Sequence, residues 1–376
     1  MRIKYITNVR LPTSRAQGYA IMKMCSEFAK AGAETELFVP ARGNTRNKKD
    51  PFEYYGIEKN FEIKKISSFD FLGMTQRFGK IFYWLDILSF LAITKFKVKL
   101  EAGDALYTRD FMAILFFSKQ KRAILEIHDI PKSKLFFAQA LKKAKLFVVL
   151  NSYLKEELVS LGVSPDKIII SPSGVEPQDF EVSQSQADVR REVGLPQDKK
   201  IILYTGQFYP WKGVDTLAET AKLVPEENFV FVGGAEPEYS RFKKKYQNIS
   251  NIIINPFQTR AKVALYMKAS DILVIPNSGK EKISSHYTSP LKLFEYMAAQ
   301  KPIIVSDLPS IRDIVNEEDA VFAKPDSPQS FAEAIEKILG DVGLARKISL
   351  NVYEKVKRYS WQERAKKIME KIKEIA

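Results

Sequence analysis

The chain has 376 residues, of which 45% are hydrophobic, and its net charge is +14. This length favours two domains, and the hydrophobic content is enough for two cores. The single cysteine, Cys25, excludes a disulfide framework, makes a reducing cytoplasm the simplest location, and lies in an apolar helical stretch typical of a core. The opening residues 1–8 predict a strand, because polar residues interrupt them too early for a signal peptide.

The first half of the chain alternates short apolar strands with helices. Cys25 belongs to a predicted helix over 16–31, and a polar loop is expected over 41–50. The predicted strands are Ile3–Thr7, Glu36–Val39, Ala105–Thr108, Ala123–Ile127 and Leu146–Leu150. Strands of this length between helices indicate a parallel sheet with crossover connections.

Basic residues are in excess in the first half, where residues 1–180 hold 29 Lys and Arg against 19 Asp and Glu. Nucleic acid, a membrane surface with anionic lipid, and solvated lysine-rich faces are three readings of this surplus. We predict no nucleic-acid partner. Solvated faces and a membrane surface both stay open.

Residues 72–99 are rich in aromatic and aliphatic side chains and have lysines and an arginine at their flanks. The apolar run is too short to span a bilayer. Aromatic residues with flanking lysines suit an interfacial helix at the headgroup boundary of a membrane. A helix buried against the sheet has the same pattern and is the alternative.

His128 directly follows the predicted strand Ala123–Ile127, in the run Leu-Glu-Ile-His-Asp at 125–129. It should therefore lie at the carboxyl end of a strand, where parallel sheets bind ligands. The alternative is a histidine hydrogen-bonded to its neighbours in a turn. The chain has only one other histidine, His286, and the spacing of histidine, cysteine and carboxylates predicts no metal site.

The second half repeats the alternation after a linker rich in Ser and Gln near Ser173–Gln184. Strands are predicted over 201–205, 228–232, 251–254, 271–275, 303–305 and 320–322. We therefore predict an α/β protein with domains over 1–176 and 177–359. Ser360-Trp361 begins a last basic, amphipathic helix over 360–376.

A strand, a turn with Gly and Pro, and a helix follow one another over 201–217. Gly206 and Gly213 allow the backbone to approach a ligand, and Lys212 places an ammonium in the turn, where it can meet a diphosphate. The alternative is a βα loop with a surface lysine. The spacing is neither that of a P-loop nor that of the dinucleotide fingerprint, so ATP and NAD are not favoured.

A helix suited to an anion is predicted to begin at Ser289, as N-cap, and Pro290, in the first helical position. The amides of Leu291 and Lys292 would then point at a phosphate together with the positive end of the helix dipole. Glu295, more than one turn later, could reach the hydroxyls of a ribose. Phosphate and ribose together indicate a nucleotide. An ordinary capped amphipathic helix is the alternative.

Together these segments resemble the retaining glycosyltransferases of family four, also known as glycosyl transferases group 1. The pattern of that family is a glycine turn ending in Lys-Gly, a Gly-Gly strand end, and a helix with two glutamates eight positions apart. This chain has, in the same order, Gly206, Lys212-Gly213, Gly233-Gly234 and the run Ser-Pro-Leu-Lys-Leu-Phe-Glu at 289–295. The likeness extends from the first strand to Trp361.

The chain departs from the pattern at two positions. Gln207 stands where the family has an arginine, so one cation for the diphosphate is missing. Tyr287 stands where the family has its first glutamate, which touches hydroxyls of the donor sugar. Tyr287, Thr288 or His286 could supply replacement hydrogen bonds.

The resemblance implies a GT-B fold, in which two Rossmann-like, doubly wound domains face a cleft and the C-terminal helix crosses back to the first domain. It implies catalytic roles for His128, which would approach the donor sugar, for Lys212 and for Glu295. Donor contacts are expected from Arg15 and Gly18 in the first domain, and from Gly206, Gln207, Gly213, Gly233, Gly234, Phe257, Tyr287, Thr288, Ser289, Pro290, Leu291 and Lys292 in the second.

The function implied is transfer of a sugar from a nucleoside-diphosphate sugar, with UDP or GDP as the favoured nucleotide, to an acceptor hydroxyl with retention. No metal or other cofactor is expected, because family members bind the diphosphate with protein groups. The acceptor would be a saccharide or a lipid-linked saccharide in the synthesis of cell-surface polysaccharide, lipopolysaccharide or glycolipid. The protein would be cytoplasmic, with a peripheral position on the inner membrane face as a variant. The alternatives are a sugar-nucleotide 2-epimerase of the same fold and a degenerate protein that binds nucleotide without turnover.

Overall fold

The structure, a computed structural model, describes residues 1–41, 49–71, 80–117, 119–131 and 134–375. The chain forms two compact units: Met1–Pro172 with Trp361–Ala376, and Ser173–Ser360. Each unit contains one parallel sheet with helices.

The sheet of the first unit has seven strands in the order β3-β2-β1-β4-β5-β6-β7. The strands are β1 (Arg2–Ile6), β2 (Glu34–Pro40), β3 (Glu62–Ile66), β4 (Asp104–Thr108), β5 (Arg122–Ile127), β6 (Leu146–Val149) and β7 (Ile168–Ile170). The described helices are α1 (Ala16–Lys30), α2 (Pro51–Tyr55), α3 (Lys80–Lys97), α4 (Phe111–Phe116), α5 (Leu135–Lys143) and α6 (Ser152–Ser160), with a 3₁₀ turn at Pro165–Lys167. The connections lead outward from β1 in one direction and from β4 in the other, so the sheet is doubly wound.

The C-terminal helix, Trp361–Glu374, belongs to the first unit, as the resemblance implied. Its buried residues Trp361, Arg364, Ala365, Ile368 and Ile372 recur at helical spacing and form one face. The helix packs on α1, where the ring of Trp361 meets that of Tyr19 edge-on at 6.2 Å between centroids. The last residues of the chain therefore complete the core of its first unit.

The sheet of the second unit has six strands in the order β10-β9-β8-β11-β12-β13. The strands are β8 (Ile201–Gly206), β9 (Asn228–Gly233), β10 (Ile252–Asn255), β11 (Ile272–Ile275), β12 (Ile303–Ser306) and β13 (Val321–Ala323). The helices are α7 (Gln186–Glu192), α8 (Val214–Ala221), α9 (Glu238–Tyr246), α10 (Arg260–Ala269), α11 (Leu291–Ala298), α12 (Pro309–Arg312), α13 (Pro328–Gly340) and α14 (Val342–Val356). Shorter 3₁₀ turns lie at Pro177–Phe180, Pro210–Lys212 and Lys357–Tyr359, and a π-helical turn lies at Ile283–Tyr287.

Side chains of the second sheet alternate between two hydrophobic cores. Ile201 and Leu203 face one core, whereas Ile202 and Tyr204 face the other. Both faces are therefore buried, which explains why these strands are continuous apolar runs rather than alternating ones.

The predicted fold is confirmed: both units are doubly wound parallel α/β sheets, and the helix over 16–31 is α1. The predicted strands all exist, with ends displaced by at most two residues. Two strands were missed, namely β3, whose sequence is half charged, and β7, which has only three residues. Both are edge strands of the first sheet, where short or charged strands are typical. Of the predicted loop over 41–50, residues 42–48 lie outside the described part.

Candidate functional site

The second sheet changes direction between β8 and β11, which are neighbours although the chain leaves them toward opposite edges. In sheets of this kind, ligands bind beyond the carboxyl ends of the strands at such a switch point. Two segments meet here: the turn 206–213, which follows β8, and residues 276–290, which follow β11. The sequence singled out the first segment and the last part of the second, and the fold brings them to the same edge.

Two glycines allow the close packing of these segments. Gly213 has φ +69°, and a Cβ atom on it would lie 1.7 Å from the carbonyl oxygen of Pro276, so the turn touches the end of β11. A Cβ atom on Gly233 would lie 2.2 Å from the carbonyl oxygen of Gly206, which in turn accepts a hydrogen bond from the amide of Gly234 at 2.8 Å. Any side chain at 213 or 233 would separate the strand ends that form this edge.

Lys212 closes the 3₁₀ turn that precedes α8. The turn is held by Trp211, whose carbonyl oxygen accepts hydrogen bonds from the amide of Ser278 at 3.0 Å and from the hydroxyl of Ser284 at 3.2 Å. The Lys212 ammonium lies over the Trp211 ring, 3.8 Å from its centroid. Burial lowers the pKa of Lys212 to about 7, so an anion is needed to hold the full positive charge at neutral pH.

Helix α11 begins one residue later than predicted. Pro290 is the N-cap residue, no side chain caps the helix, and the hydroxyl of Ser289 instead accepts from the amide of Ser173 at 3.1 Å. The prediction that Ser289 caps this helix was therefore wrong. The amides of Leu291 and Lys292 are the first two of the helix and have no acceptor within it, which keeps them available to an anion.

Glu295 lies one turn into α11 and forms an ion pair with Arg260, the first residue of α10. The guanidinium of Arg260 also stacks on the Phe180 ring at 4.9 Å. The pair fixes the direction of the Glu295 carboxylate. Sequence reasoning missed Arg260, which is 35 positions away. Phe257, the predicted base platform, follows β10 and is 47% exposed.

Several buried polar atoms at this edge have no hydrogen-bond partner in the described structure. They are the Gln207 side-chain oxygen, both amide atoms of Asn277, the Ser306 hydroxyl and the Lys292 ammonium. Buried polar groups are nearly always hydrogen-bonded, so such a group calls for an explanation. Gln207, Asn277 and Ser306 lie at or just after the ends of β8, β11 and β12, so the unmet hydrogen-bonding capacity lies where a ligand is expected. Nothing in the sequence distinguished Asn277 or Ser306 from ordinary loop residues.

The segment that contains Tyr287 is a π-helical turn, Ile283–Tyr287, a form common at functional sites. Tyr287 is 7% exposed, whereas Thr288 and His286 are half-buried. The Nδ1 atom of His286 lies 2.7 Å from the hydroxyl of Ser285. All three replacements proposed from the sequence are therefore placed on the segment that leads into α11.

In the first unit, His128 directly follows β5, as predicted. Its Nε2 atom lies 2.7 Å from a carboxylate oxygen of Glu126, two residues earlier. Burial and the nearby Arg109 lower the pKa of His128, although Glu126 opposes them. The imidazole is therefore neutral at neutral pH, with its Nε2 proton donated to the carboxylate and its Nδ1 atom left as an acceptor.

Glu126 is fully buried and joins three other donors besides the histidine. Tyr107 donates its hydroxyl to one oxygen, while Arg109 and Arg364 each donate to the other at 2.9 Å. Burial alone would raise the pKa of Glu126, but the two guanidinium groups hold it well below its ordinary value. The histidine predicted from sequence is thus part of a buried charged network that includes the C-terminal helix.

Arg15 and Gly18, the other predicted residues of the first unit, lie at the start of α1. Arg15 is the exposed N-cap residue. Gly18 is inside the helix rather than in the preceding loop, and a Cβ atom there would lie 2.2 Å from the hydroxyl of Tyr55. Because Tyr55 needs this space to bond with both backbone groups of Thr13, packing alone accounts for the glycine. Contact of Gly18 with a ligand stays a prediction.

Among the described residues, no three side chains of His, Cys, Asp or Glu come together in a way that could hold a metal ion. No helix in the described part of the chain has both the length and the apolar character needed to cross a bilayer.

Comparison with known families gives a match within the second unit. Residues 185–355 match the model of the family described as "Glycosyl transferases group 1". The matched segment contains the glycine turn, Lys212, the π-helical turn and α11.

Comparison with known sequences gives distant relatives named as glycosyltransferases. A D-inositol 3-phosphate glycosyltransferase of Xylanimonas cellulosilytica is 22% identical, over 92% of this chain and 88% of the relative. A glycosyltransferase of Methanocaldococcus jannaschii is 27% identical, over 58% of this chain and 57% of its own length. The Escherichia coli UDP-Gal:alpha-D-GlcNAc-diphosphoundecaprenol alpha-1,3-galactosyltransferase is also 27% identical, over 48% of this chain and 47% of the relative. The alignment thus spans about half the length of two of these relatives and most of the third.

Solved structures show the same fold over the whole chain. The sucrose-phosphate synthase of Thermosynechococcus elongatus superposes with a TM-score of 0.79 at 18% identity, covering 100% of this chain and 98% of that one. Anabaena HepE in complex with UDP-glucose superposes with a TM-score of 0.76 at 14% identity, with both chains fully covered. Residues 185–355 therefore form a glycosyl transferases group 1 domain, and the chain as a whole has the GT-B fold of these structures.

Proposed function

We propose that the protein transfers a sugar from a nucleoside-diphosphate sugar to a hydroxyl of a saccharide or lipid-linked acceptor, with retention of the anomeric configuration. The sugar would enter a cell-surface polysaccharide, a lipopolysaccharide or a glycolipid. UDP and GDP are the favoured nucleotides, and UDP is supported by the UDP-glucose in the Anabaena complex. The family pattern supports retention.

One observation carries this proposal. The switch point of the second sheet brings together the buried Lys292, the half-buried Lys212, two helix-start amides and several unpartnered polar atoms. Positive charge and free donors without bound carboxylates suit a dianionic ligand. Glu295, oriented by Arg260, then suits the hydroxyls of a ribose next to the phosphates.

These groups also explain how the donor bond would break. When a sugar leaves a nucleoside diphosphate, negative charge builds on the diphosphate oxygen and positive charge on the sugar ring. The Lys212 ammonium, the amides of Leu291 and Lys292, and the dipole of α11 stabilise that leaving group, and positioned donors of this kind are a large part of enzymatic rate enhancement. Attack on the same face of the sugar, aided by the leaving phosphate, requires no protein nucleophile.

The family pattern assigns His128 to the donor sugar. As a neutral imidazole held through Nε2, it would offer Nδ1 as an acceptor to a sugar hydroxyl. Glu126 is the positioning residue, because it fixes both the tautomer and the direction of the ring.

A thermal-shift screen with UDP, GDP, ADP and their sugars tests the donor site. Wild-type protein is compared with Lys212→Ala, Glu295→Ala and the matched control Lys244→Ala, an exposed lysine of α9. A ligand at a hundredfold its Kd should add about 2.7 kcal/mol of stability. We expect one nucleotide to raise the Tm of wild type and of Lys244→Ala, with little or no rise in the other two variants. Absence of a shift with every nucleotide would contradict the donor site.

Transfer is tested with the nucleotide that binds. Incubation of the matching nucleotide sugar with candidate acceptors should give a glycoside whose anomeric configuration, measured by NMR, equals that of the donor. The epimerase alternative is not favoured, since the relatives are named as glycosyltransferases. Recovered donor with an inverted C2 centre would nevertheless support it, and binding without transfer or hydrolysis would support a degenerate protein.

We further propose that α3 rests on an anionic membrane. Residues 72–79 of the predicted contact segment lie outside the described residues. In α3 the side chains of Ile87, Phe90 and Leu91 are buried. For these residues the alternative prediction, a helix packed in the protein core, is correct. Other apolar side chains of the helix are exposed, among them Ile81 (66%) and Trp84 (40%) in its first turns and Phe96 (88%) near its end. Several exposed apolar side chains on one helix are typical of a binding surface.

The chemistry of this face favours a bilayer as its occupant. Lys95, Lys97 and Lys99 are exposed at the end of α3 and suit anionic headgroups, while aromatic and aliphatic side chains suit the interface. The E. coli relative is named for a lipid-linked acceptor, diphosphoundecaprenol, which agrees with a membrane substrate. Such a position would be peripheral, on the cytoplasmic side.

Vesicle sedimentation tests the membrane proposal. We expect binding to vesicles that contain phosphatidylserine, whose surface potential is negative, and little binding to vesicles of phosphatidylcholine alone. The variant Ile81→Ser with Trp84→Ser should lose the binding, whereas Leu350→Ser, an equally exposed leucine of α14, should retain it. Equal sedimentation of all three proteins would contradict the proposal.

A further inference from the structure

The side chain of Lys292 is buried at the donor edge without a partner. Lys292 is 8% exposed, and its ammonium has no hydrogen-bond acceptor in the described structure. The ammonium lies over the Tyr204 ring, 3.7 Å from the centroid. It also lies 3.3 Å from the point that a Cβ atom on Gly206 would occupy. The charge therefore points at the glycine that begins the turn after β8.

The charged groups around Lys292 do not neutralise it. Burial and the Lys212 ammonium lower the pKa of Lys292 well below its ordinary value, and Glu295 opposes them only in part. Glu295 lies on the same helix and is already engaged by Arg260. Tyr204, on β8, contributes only its ring face. A buried ammonium that merely filled space would cost more than an apolar side chain of the same length.

We propose that the ammonium of Lys292 is a second cation for the donor diphosphate, acting together with Lys212. This role rests on the proposed function. The neighbouring residues agree with it. Gln207, directly after Gly206, offers a neutral amide where the family pattern has a cation, and Lys292 reaches the same glycine from α11. A side chain at 206 would begin 3.3 Å from the ammonium, so the glycine keeps the space beside the charge free of protein atoms.

Binding of inorganic pyrophosphate, measured by calorimetry, tests this assignment directly. The proteins are wild type, Lys292→Met, which keeps the length without the charge, Lys292→Arg, and the control Lys244→Met. We expect Lys292→Met to bind pyrophosphate at least ~10-fold more weakly, as for the loss of a hydrogen bond to a charged group. Lys292→Arg should recover part of the affinity, and the control should bind as wild type does. UDP and GDP should follow pyrophosphate, whereas uridine and guanosine, which lack the diphosphate, should bind wild type and Lys292→Met equally.

A second readout separates binding from simple packing. Because burial and Lys212 lower the pKa of Lys292 in the free protein, a bound anion should raise that pKa and thereby increase the share of protonated Lys292. Titrations at pH 8 in two buffers of different ionisation enthalpy should show proton uptake by wild type and less by Lys292→Met. Thermal melts of the free variants establish that they are folded.

The outcomes separate the assignment from the function on which it rests. If wild type binds pyrophosphate and Lys292→Met binds it equally tightly with the same proton uptake, the role of Lys292 is overturned and the donor site stands. If wild type binds neither pyrophosphate nor any nucleoside diphosphate, both are overturned.

Discussion

The Nε2 atom of His128 lies 2.7 Å from the carboxylate of Glu126, which is fully buried. Arg109 and Arg364 share this carboxylate, so it forms ion pairs with two guanidinium groups while it orients the imidazole. One side chain thus links β4, β5 and the C-terminal helix. The candidate catalytic histidine is held by the same interactions that stabilise the unit.

Glu126→Gln should destabilise the first unit by about 3–5 kcal/mol, the usual cost of leaving buried charges unpaired. Urea unfolding followed by tryptophan fluorescence in a Trp211→Phe background measures this, since Trp84 and Trp361 both belong to the first unit. Glu101→Gln is the control, because Glu101 is 67% exposed and pairs with Arg2 at the surface. Similar losses for the two variants would contradict a special role of the buried carboxylate.

The ionisation of His128 should be displaced in the acid direction. Burial and Arg109 lower its pKa from 6.5, while Glu126 raises it, so Glu126→Gln should lower the pKa further. Proton NMR can follow the two histidines of the chain, and His128→Gln assigns the signal. A pKa at or above 6.5 in wild type would contradict the neutral imidazole described here.

Asp110 should make stability rise as the pH falls. Its carboxylate caps α4 through the amide of Met112, but burial raises its pKa from 3.8 to about 6. The charged form is therefore disfavoured in the folded state, and the penalty disappears as the pH falls from 6 to 4. Asp110→Asn, which keeps a capping side chain, should be more stable than wild type at pH 8 by about 1–3 kcal/mol, and equal to it at pH 4.

Thermal melts across this pH range measure the effect. Asp50→Asn serves as the control, because Asp50 caps α2 in the same way at an exposed position. A gain in stability at pH 8 for Asp50→Asn as large as that for Asp110→Asn would show that burial is not the cause.

Gly213→Ala should be much more harmful than Gly194→Ala. Both glycines have φ +69°, but the added Cβ atom would lie 1.7 Å from Pro276 at position 213 and would meet nothing within 4 Å at position 194. Gly194→Ala should cost about 1–2 kcal/mol for the backbone conformation alone. Gly213→Ala should cost more and should weaken nucleotide binding, because the turn must move away from β11. Urea unfolding and the nucleotide titration measure both effects, and equal costs would contradict the contact.

Lys212 should make diphosphate binding depend on pH. Because burial lowers its pKa to about 7, the free protein loses this positive charge as the pH rises through 7. Affinity for pyrophosphate should therefore decrease between pH 6 and pH 9. Lys212→Met should bind weakly and with a flatter dependence, whereas Lys244→Met should behave like wild type. A flat profile for wild type would mean that Lys212 does not meet the anion.

The strands of both units were predictable because they are apolar runs between helices, with both faces buried. The two missed strands lack that signal: β3 carries charges at an edge, and β7 is three residues long. Helix α3 was ambiguous for a physical reason. Its buried face and its exposed face are both apolar, so the sequence pattern could not assign one role to it.

The turn with Lys212 and the start of α11 were also predictable, because their residues are close in sequence. The contacts that define the site could not be predicted in this way, because their partners are far apart in sequence. Arg260 pairs with Glu295 across 35 positions, and Arg364 reaches Glu126 across 238 positions. Likewise, the sequence predicted a phosphate contact only for the backbone amide of Lys292. Its ammonium could not be assigned, because only the folded chain shows that it lies beside Gly206.

The return of the C-terminal helix to the first unit affects how the chain matures. The amino-terminal half leaves the ribosome first, but its core lacks Trp361 and its buried carboxylate lacks Arg364 until the helix Trp361–Glu374 has also been made. The second unit is continuous in sequence and can fold as soon as it has left the ribosome. On ribosome-bound chains stalled so that Ser173–Ser360 has emerged but Trp361–Ala376 has not, the second unit should be the first to resist protease. This order is the reverse of the usual one, in which the amino-terminal domain folds first.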